Sequence, residues 1–187
     1  MEDTQKKPTT IVIERANPED AKAIWNIFYK TWLTTYPNEG VGVTVEDIED
    51  WYKDKMTDEN MTRWQENIRN QTDSSLFLVA KEGEKVVGLC RVEKEEDTNH
   101  LKAVYVLPEF QGRGIGKKLW HAAEPFLDST KDTLVEVVDY NQNAIEFYKT
   151  LGFEDTGERF QDERWKMKSG AWFTEMRMRK ATVGGSR

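Results

Sequence analysis

A glycine-rich hexapeptide at residues 111–116, QGRGIG, constrains this chain more than any other feature of its sequence. It follows a strand-like apolar run at residues 101–106 and precedes an amphipathic segment that begins at Lys117. Glycines at alternate positions leave backbone N–H groups unobstructed, and the first turn of a following helix adds unpaired amides and the positive end of its dipole. The hexapeptide therefore predicts an anion-binding loop between a strand and a helix, with a phosphate group as its natural ligand.

The spacing of the hexapeptide excludes the two commonest glycine-rich nucleotide loops. A Walker A loop needs a glycine five positions before its Gly-Lys pair and a Ser or Thr after it, but Gln111 and Lys118 occupy these positions. The dinucleotide fingerprint GxGxxG fails in both frames, because Lys117 or Leu119 stands where the last glycine is required. The pattern that remains is Q/RxxGxG/A.

A second segment lies downstream of the loop. The apolar run at residues 134–138 predicts a strand, and Asn141 is a favourable N-cap for a helix that carries Tyr148. Gly152 and Phe153 then provide a C-terminal stop. Taken alone, Asn141 is more often only a cap and Tyr148 only a core aromatic. Their order after the glycine-rich loop favours functional roles for both.

Together the two segments resemble the GCN5-related N-acetyltransferases (GNAT), whose pyrophosphate loop, arm-binding Asn, FY helix and GF stop follow in this order. The resemblance covers nearly the whole chain. It implies an α/β fold, the GNAT acyl-CoA N-acyltransferase fold, in which helices flank a central mixed, mostly antiparallel sheet. We expect closing strands at residues 158–160 and 171–178. We also expect a single domain over residues 10–180, with disordered tails at residues 1–9 and 181–187.

The resemblance further implies that acetyl-CoA is the co-substrate and that no metal takes part. In this family the strand before the loop carries a bulge whose free backbone groups contact the donor. The positions that the resemblance assigns to acetyl-CoA binding are Val104, Tyr105, Val106, Gln111, Gly112, Arg113, Gly114, Ile115, Gly116, Lys117 and Asn141.

Two side chains are candidates for the chemistry. Tyr148 matches the family tyrosine that protonates the departing sulfur, and a phenol with a pKa of about 10 is mostly protonated at neutral pH. Glu136 is the candidate general base for the acceptor amine, since its twelve-residue distance from Tyr148 matches the ribosomal-protein N-terminal acetyltransferases. An ordinary strand carboxylate is nearly as good an interpretation of Glu136. Asp139, Glu93 or ordered water are alternative bases.

The acceptor site is expected near Trp32 and Tyr36, aromatic residues beside a helix break at Pro37. Residues 41–60 hold seven acidic side chains against two lysines, an excess that would attract a polyamine or a basic peptide, although a solvated helix face is the commoner use. The leading hypothesis is acetylation of a primary amine of a small molecule, such as a polyamine. The alternatives are acetylation of a protein N-terminus or lysine, and a catalytically silent acyl-CoA-binding module.

Composition excludes several other classes of protein. A net charge of −7 over 187 residues argues against a nucleic-acid partner, and no apolar run is long enough to span a membrane. We expect a cytoplasmic monomer or homodimer. Cys90 is the only cysteine, and this excludes an internal disulfide. We expect Cys90 in the core. The two histidines, His100 and His121, have no metal-ligand spacing and are expected to be structural or exposed.

Overall fold

The computed structural model describes residues 10–182. The predicted tails, residues 1–9 and 181–187, lie outside the described residues apart from Ala181 and Thr182. The strands are β1 (Ile11–Arg15), β2 (Ser75–Glu82), β3 (Lys85–Lys94), β4 (Asn99–Val106), β5 (Thr133–Val138), β6 (Glu154–Phe160) and β7 (Glu175–Lys180). The helices are α1 (Ala21–Thr35), α2 (Val45–Lys55), α3 (Asp58–Arg69), α4 (Ile115–Ala123) and α5 (Gln142–Thr150).

The strands of the described region form one seven-stranded sheet in the order β1-β2-β3-β4-β5-β7-β6. All neighbours are antiparallel except β4 and β5, which are parallel. The predicted α/β fold with a mixed, mostly antiparallel sheet is therefore confirmed. The insertion of β7 between β5 and β6 brings the last strand of the chain beside the strand that carries Glu136.

Helices cover both faces of the central strands. In β3, the consecutive residues from Val86 to Cys90 are all buried, which requires packing on both faces because successive side chains point to opposite sides. Gly88 faces α4, since a Cβ on Gly88 would lie 3.2 Å from Leu119. Helix α1 packs against β3 and β4. Burial of these apolar runs is the main stabilising contribution to the fold.

The helices begin at residues that satisfy their first amides. The Thr44 hydroxyl accepts from the Asp47 amide at 3.1 Å, and the Thr57 hydroxyl accepts from the Asn60 amide at 3.2 Å. Each interaction stabilises its helix by about 1 kcal/mol. No helix within residues 10–182 is both long and apolar enough to cross a membrane.

The closing strands differ from the sequence expectation. β6 begins at Glu154, earlier than predicted, and β7 begins only at Glu175 rather than at Ala171. Residues 171–174 are not part of the strand, and the fully buried Phe173 among them packs into an aromatic cluster and not into the sheet. The first strand of the closing pair is exposed along most of its length, so its apolar pattern is too weak to define its start.

Candidate active site

A cleft opens where β4 and β5 separate. The two strands pair only at Asn99 with Thr133 and at His100 with Leu134, although both continue beyond this point. The cleft has a volume of about 1510 Å³. The cleft has two halves. The loop half comprises the backbone of residues 104–106 and the cleft-lining residues within 111–117 and 141–148. The aromatic half comprises the side chains of Trp32, Tyr36, Trp51, Tyr105, Trp165, Phe173 and Glu175.

The glycines of the loop half shape a concave set of backbone amides. Gly112 and Gly114 have φ values of 74° and 75°, a left-handed conformation that costs other residues about 1–2 kcal/mol, and Gly114 is the N-cap of α4. The amides of Ile115, Gly116 and Lys117 form the first turn of the helix and have no intrahelical acceptor. These unpaired donors, together with the helix dipole, fit a pyrophosphate group.

The close approach of α4 and α5 depends on Gly116. A Cβ at this position would lie 3.2 Å from two ring atoms of Phe147, which is tighter than ordinary van der Waals contact. The third glycine of the hexapeptide therefore serves packing between the two helices of the loop half. It thereby holds the start of α4 next to the helix that carries Tyr148.

The polar side chains of the loop have different orientations. Gln111 donates through Nε2 to the Val106 carbonyl at 3.0 Å, which ties the loop to the end of β4. The Arg113 guanidinium forms an ion pair with Glu82 and lies 5.0 Å from the Phe110 ring. It does not line the cleft, whereas Lys117 does. The predicted contribution of Arg113 is thus limited to its backbone in this conformation.

The bulge expected at residues 104–106 is at a different position. Val104, Tyr105 and Val106 pair in regular register with β3, and the register shift falls at Lys102. That part of the prediction was wrong, because a bulge is a backbone feature without a side-chain signature. Beyond His100, however, β4 has no pairing with β5, so its cleft-facing edge remains open to a ligand.

Asn141 and Tyr148 both face the cleft from α5. The Asn141 side chain accepts from the Ala144 amide at 3.2 Å, so it caps the helix as expected. Tyr148 is buried, with its ring edge-on to Phe153 at 5.8 Å. Burial, reinforced by Tyr105 and Cys90, raises the pKa of Tyr148 far above that of a free phenol. Its hydroxyl is therefore protonated throughout the neutral range.

Glu136 lies in β5 between two basic side chains. Its Oε1 accepts from His100 Nε2 at 3.1 Å and from Arg177 Nε at 3.3 Å. Burial alone would raise the pKa of Glu136, but the hydrogen bonds and charges of His100 and Arg177 outweigh it and lower the pKa below its usual value. The interaction with Glu136 in turn raises the pKa of His100. Glu136 is thus a stably ionised, engaged carboxylate.

Of the two sequence interpretations of His100, structural or exposed, the structure contradicts the second. Its side chain is 14% exposed and lines the cleft. Arg177 and Glu175, on β7, also line the cleft and were missed. No local sequence pattern marks these three residues, because they meet Glu136 only through the strand order of the folded sheet.

The aromatic half is centred on Trp32. Its ring centroid lies 4.9 Å from Tyr36, 5.1 Å from Trp51, 5.3 Å from Trp165 and 5.9 Å from Phe173. The predicted substrate residues Trp32 and Tyr36 are both buried, and both line the cleft. These rings therefore form a wall of the cleft as well as part of a core cluster.

The acidic residues at 41–60 are placed differently from the aromatic residues of the same segment. Only Trp51 and Tyr52 of this segment line the cleft. Asp54 instead pairs with Lys168 at 2.9 Å. In this conformation the acidic excess does not face the site at which an acceptor would react.

Similarity to known proteins agrees with this geometry. The chain is 27% identical to spermidine N(1)-acetyltransferase of Thermoplasma acidophilum, over 79% of this chain and 91% of that protein. It is 33% identical to an uncharacterized N-acetyltransferase of Methanocaldococcus jannaschii, over 56% of this chain and 49% of that protein. The chain spans about half the length of several of the curated relatives it matches. The crystal structure of PaiA N-acetyltransferase from Thermoplasma acidophilum with coenzyme A superimposes with a TM-score of 0.64 at 21% identity, covering 89% of this chain and 98% of that one.

The sheet with its β4–β5 cleft therefore defines an acyl-CoA N-acyltransferase fold. A family model described as acetyltransferase (GNAT) domain matches residues 33–180. The chain belongs to the GNAT acetyltransferase family.

Proposed function

We propose that this protein is an acetyl-CoA-dependent N-acetyltransferase that acetylates a primary amine of a small molecule. The observation that carries the proposal is the shared cleft, which is lined by the glycine-rich loop, the start of α4 and Tyr148 together with the aromatic half. We also propose that residues 10–180 act as one domain. This agrees with β1 and β6 being the two edges of one sheet.

The loop half has the groups that a bound acetyl-CoA would need. The open amides at the start of α4 would hold the pyrophosphate, and the unpaired edge of residues 104–106 together with Asn141 would lie along the pantetheine arm. The co-substrate would supply a thioester carbonyl as the electrophile. Glycine at position 116 keeps α4 and α5 close enough for these groups to act on one ligand.

Tyr148 would stabilise the departing sulfur. A thiol has a pKa of about 8.5, so the sulfur leaves as a thiolate that attracts a proton. The buried phenol stays protonated at neutral pH, so it would hydrogen-bond to the sulfur as negative charge develops there. Because burial disfavours a free phenolate, its proton would pass to the sulfur as the proton of the attacking nitrogen replaces it.

Attack by the amine is proposed to be direct, without an acyl-enzyme. The single cysteine, Cys90, is completely buried, and burial strongly raises the pKa of its thiol. A thiol that remains protonated and inaccessible is a poor nucleophile. Both substrates would therefore occupy the cleft together.

The acceptor is proposed to be a small primary amine, with polyamines as one member of the class. The similarity to a spermidine acetyltransferase favours polyamines. The placement of the acidic excess of residues 41–60 away from the cleft reduces the support for a long polycation. An amine attached to an apolar or aromatic group would match the ring-lined half.

Thiol release from acetyl-CoA tests the proposal against polyamines, simple alkyl and arylalkyl amines, amino sugars, amino acids and lysine-containing peptides. We expect turnover with at least one small amine and a lower kcat/KM with peptides. Preference for a peptide lysine or N-terminus would replace the small-molecule proposal. Acetyl-CoA binding without turnover on any acceptor would instead indicate the silent binding module.

A further inference from the structure

Four carboxylic side chains line the cleft, and three of them are neutralised by ion pairs. The pairs are Glu93 with Arg91 and Lys102, Glu136 with His100 and Arg177, and Asp162 with Arg164. Glu175 is the fourth, and no residue between 10 and 182 forms an ion pair with it. A half-buried carboxylate without a cationic partner is partly desolvated, and the charge of a bound ligand would stabilise it.

The position of Glu175 is fixed by the sheet. It is the first residue of β7, opposite Val138 of β5 and Phe160 of β6, so both neighbouring strands hold its backbone. Its side chain is half-buried and lines the cleft. It lies close enough to the Tyr105 hydroxyl to affect the pKa of that phenol. A group on the central strand of three is held more rigidly than a loop residue.

We propose that Glu175 binds the ammonium group of the acceptor and then accepts its proton, beside the aromatic wall formed by Trp32 and Trp165. This inference rests on the proposed function. It identifies the acceptor as an amine whose single cationic group meets one unpaired carboxylate and several ring faces. A polyamine carries additional ammonium groups, and the cleft-lining residues of the described chain include no second unpaired carboxylate to bind them.

The acceptor ammonium gives one proton to the Glu175 carboxylate, and the neutral nitrogen forms a C–N bond to the acetyl carbon. The C–S bond breaks with its electron pair on sulfur, which takes the proton of Tyr148. The nitrogen loses its second proton as the amide forms, and this proton restores Tyr148. Glu175 releases its proton to solvent, so one proton is produced in each turnover.

The electrostatic surroundings of Glu175 suit a base at neutral pH. Burial, then the charges of Glu136 and Asp162, raise the pKa of Glu175 to about 7, while Trp165 and Arg164 lower it in part. Tyr105 on β4 and Arg177 on its own strand are further titratable groups near it that line the cleft. A general base is most effective when its pKa lies near the working pH.

Glu136 provides the internal contrast. It lines the same cleft, but its lowered pKa and its two basic partners make it a weaker proton acceptor. Its arrangement fits a positioning residue that orients Arg177 and His100. A comparison of the two glutamates therefore separates a base from a structural carboxylate.

The test measures kcat/KM against pH for wild type, Glu175→Gln and Glu136→Gln, with a strongly basic alkylamine. For wild type we expect a plateau from pH about 7 up to the pKa of the amine. Without its base, Glu175→Gln must use the neutral amine already in solution. We expect its kcat/KM to be about 10²-fold lower at pH 7.5 and to rise tenfold with each pH unit, without a plateau. In Glu136→Gln the plateau of kcat/KM should remain, even if the value of kcat/KM on the plateau changes.

A weakly basic amine that is already neutral at pH 7 distinguishes loss of the base from structural damage. Structural damage would lower the rate with both amines equally. With this amine, Glu175→Gln should lose much less activity than with the alkylamine. Equal losses with both amines, or a plateau retained in Glu175→Gln, would overturn the inference. The proposed function would still hold in that case, because wild type would still turn over. Absence of wild-type turnover would overturn the proposed function itself. If Glu175→Gln does not fold, Glu175→Asp replaces it, and loss of the plateau in that variant would also contradict the inference.

Discussion

The loop half and the aromatic half of the cleft are built in different ways. The loop half comes from short stretches of chain whose backbone is proposed to bind the donor, through Gly112, Gly114 and the first turn of α4. The aromatic half is assembled from side chains of α1, α2, β4, β7 and the connection between β6 and β7, which meet only in the folded protein. A backbone site leaves a contiguous motif in the sequence, whereas a side-chain site does not. For this reason the donor is identified more readily than the acceptor.

The largest effect is expected where the two halves meet, at Tyr148. Replacing it in Tyr148→Phe removes the proton donor, so kcat should fall about 10²- to 10³-fold, with the KM for acetyl-CoA changed less than about twofold. Steady-state thiol release at saturating amine measures both constants. Tyr29→Phe is the matched control, since Tyr29 packs on Tyr52 and does not line the cleft. A full rate in Tyr148→Phe at all pH values would exclude it as the donor.

A change confined to the loop half should affect only the donor. Gly114→Ala puts a Cβ on a residue with φ of 75°, which should lower the free energy of unfolding by about 1–2 kcal/mol. It should also raise the KM for acetyl-CoA about tenfold, equivalent to about 1.4 kcal/mol. Gly83→Ala carries similar strain, with φ of 61°, at the β2–β3 turn away from the cleft. Equal effects of both variants on the KM would show that the loop has no specific role.

A change confined to the aromatic half should affect only the acceptor. Trp165→Leu removes a half-buried ring and should raise the acceptor KM about two- to fivefold, the scale of one cation–π contact at a partly exposed site. The KM for acetyl-CoA should not change. Trp172→Leu is the control, because the Trp172 indole donates to the Asp162 carbonyl at 3.1 Å and its ring does not line the cleft. A changed KM for acetyl-CoA in Trp165→Leu would show that the two halves of the cleft do not act separately.

The smallest effect concerns stability at the charged edge of the cleft. Because the pKa of His100 is raised in the folded state, its interaction with Glu136 stabilises the fold fully below the unfolded His pKa of about 6.5, and the contribution is lost as pH rises through the folded pKa. His100→Gln should therefore lower the free energy of unfolding by about 0.5–1 kcal/mol more at pH 6 than at pH 9. Urea titrations at the two pH values measure this difference. A loss that is the same at both pH values would contradict the charged pair.

The sequence predicted the parts of the site that depend on local order. Tyr148, Asn141 and the glycine-rich loop lie where the motifs placed them, because a capped helix and a loop are specified by neighbouring residues. The bulge was misplaced and the contact of His100 with Glu136 was not foreseen. That contact depends on the parallel β4–β5 pairing, which no local pattern encodes.

Glu175 illustrates the same limit at the scale of the whole sheet. Its strand begins later than its alternating pattern suggests and is inserted between β5 and β6. Chain order alone would have placed β6 next to β5. Only the observed strand order brings Glu175 and Arg177 to the cleft with Glu136.

Direct reaction of two substrates bound in one cleft is tested by initial rates over a grid of acetyl-CoA and amine concentrations, using the best acceptor from the panel. Direct transfer predicts double-reciprocal lines that intersect, with no acetylated protein detected by mass spectrometry when acetyl-CoA is added alone. Parallel lines, together with a stoichiometric acetyl group on the protein, would contradict the account.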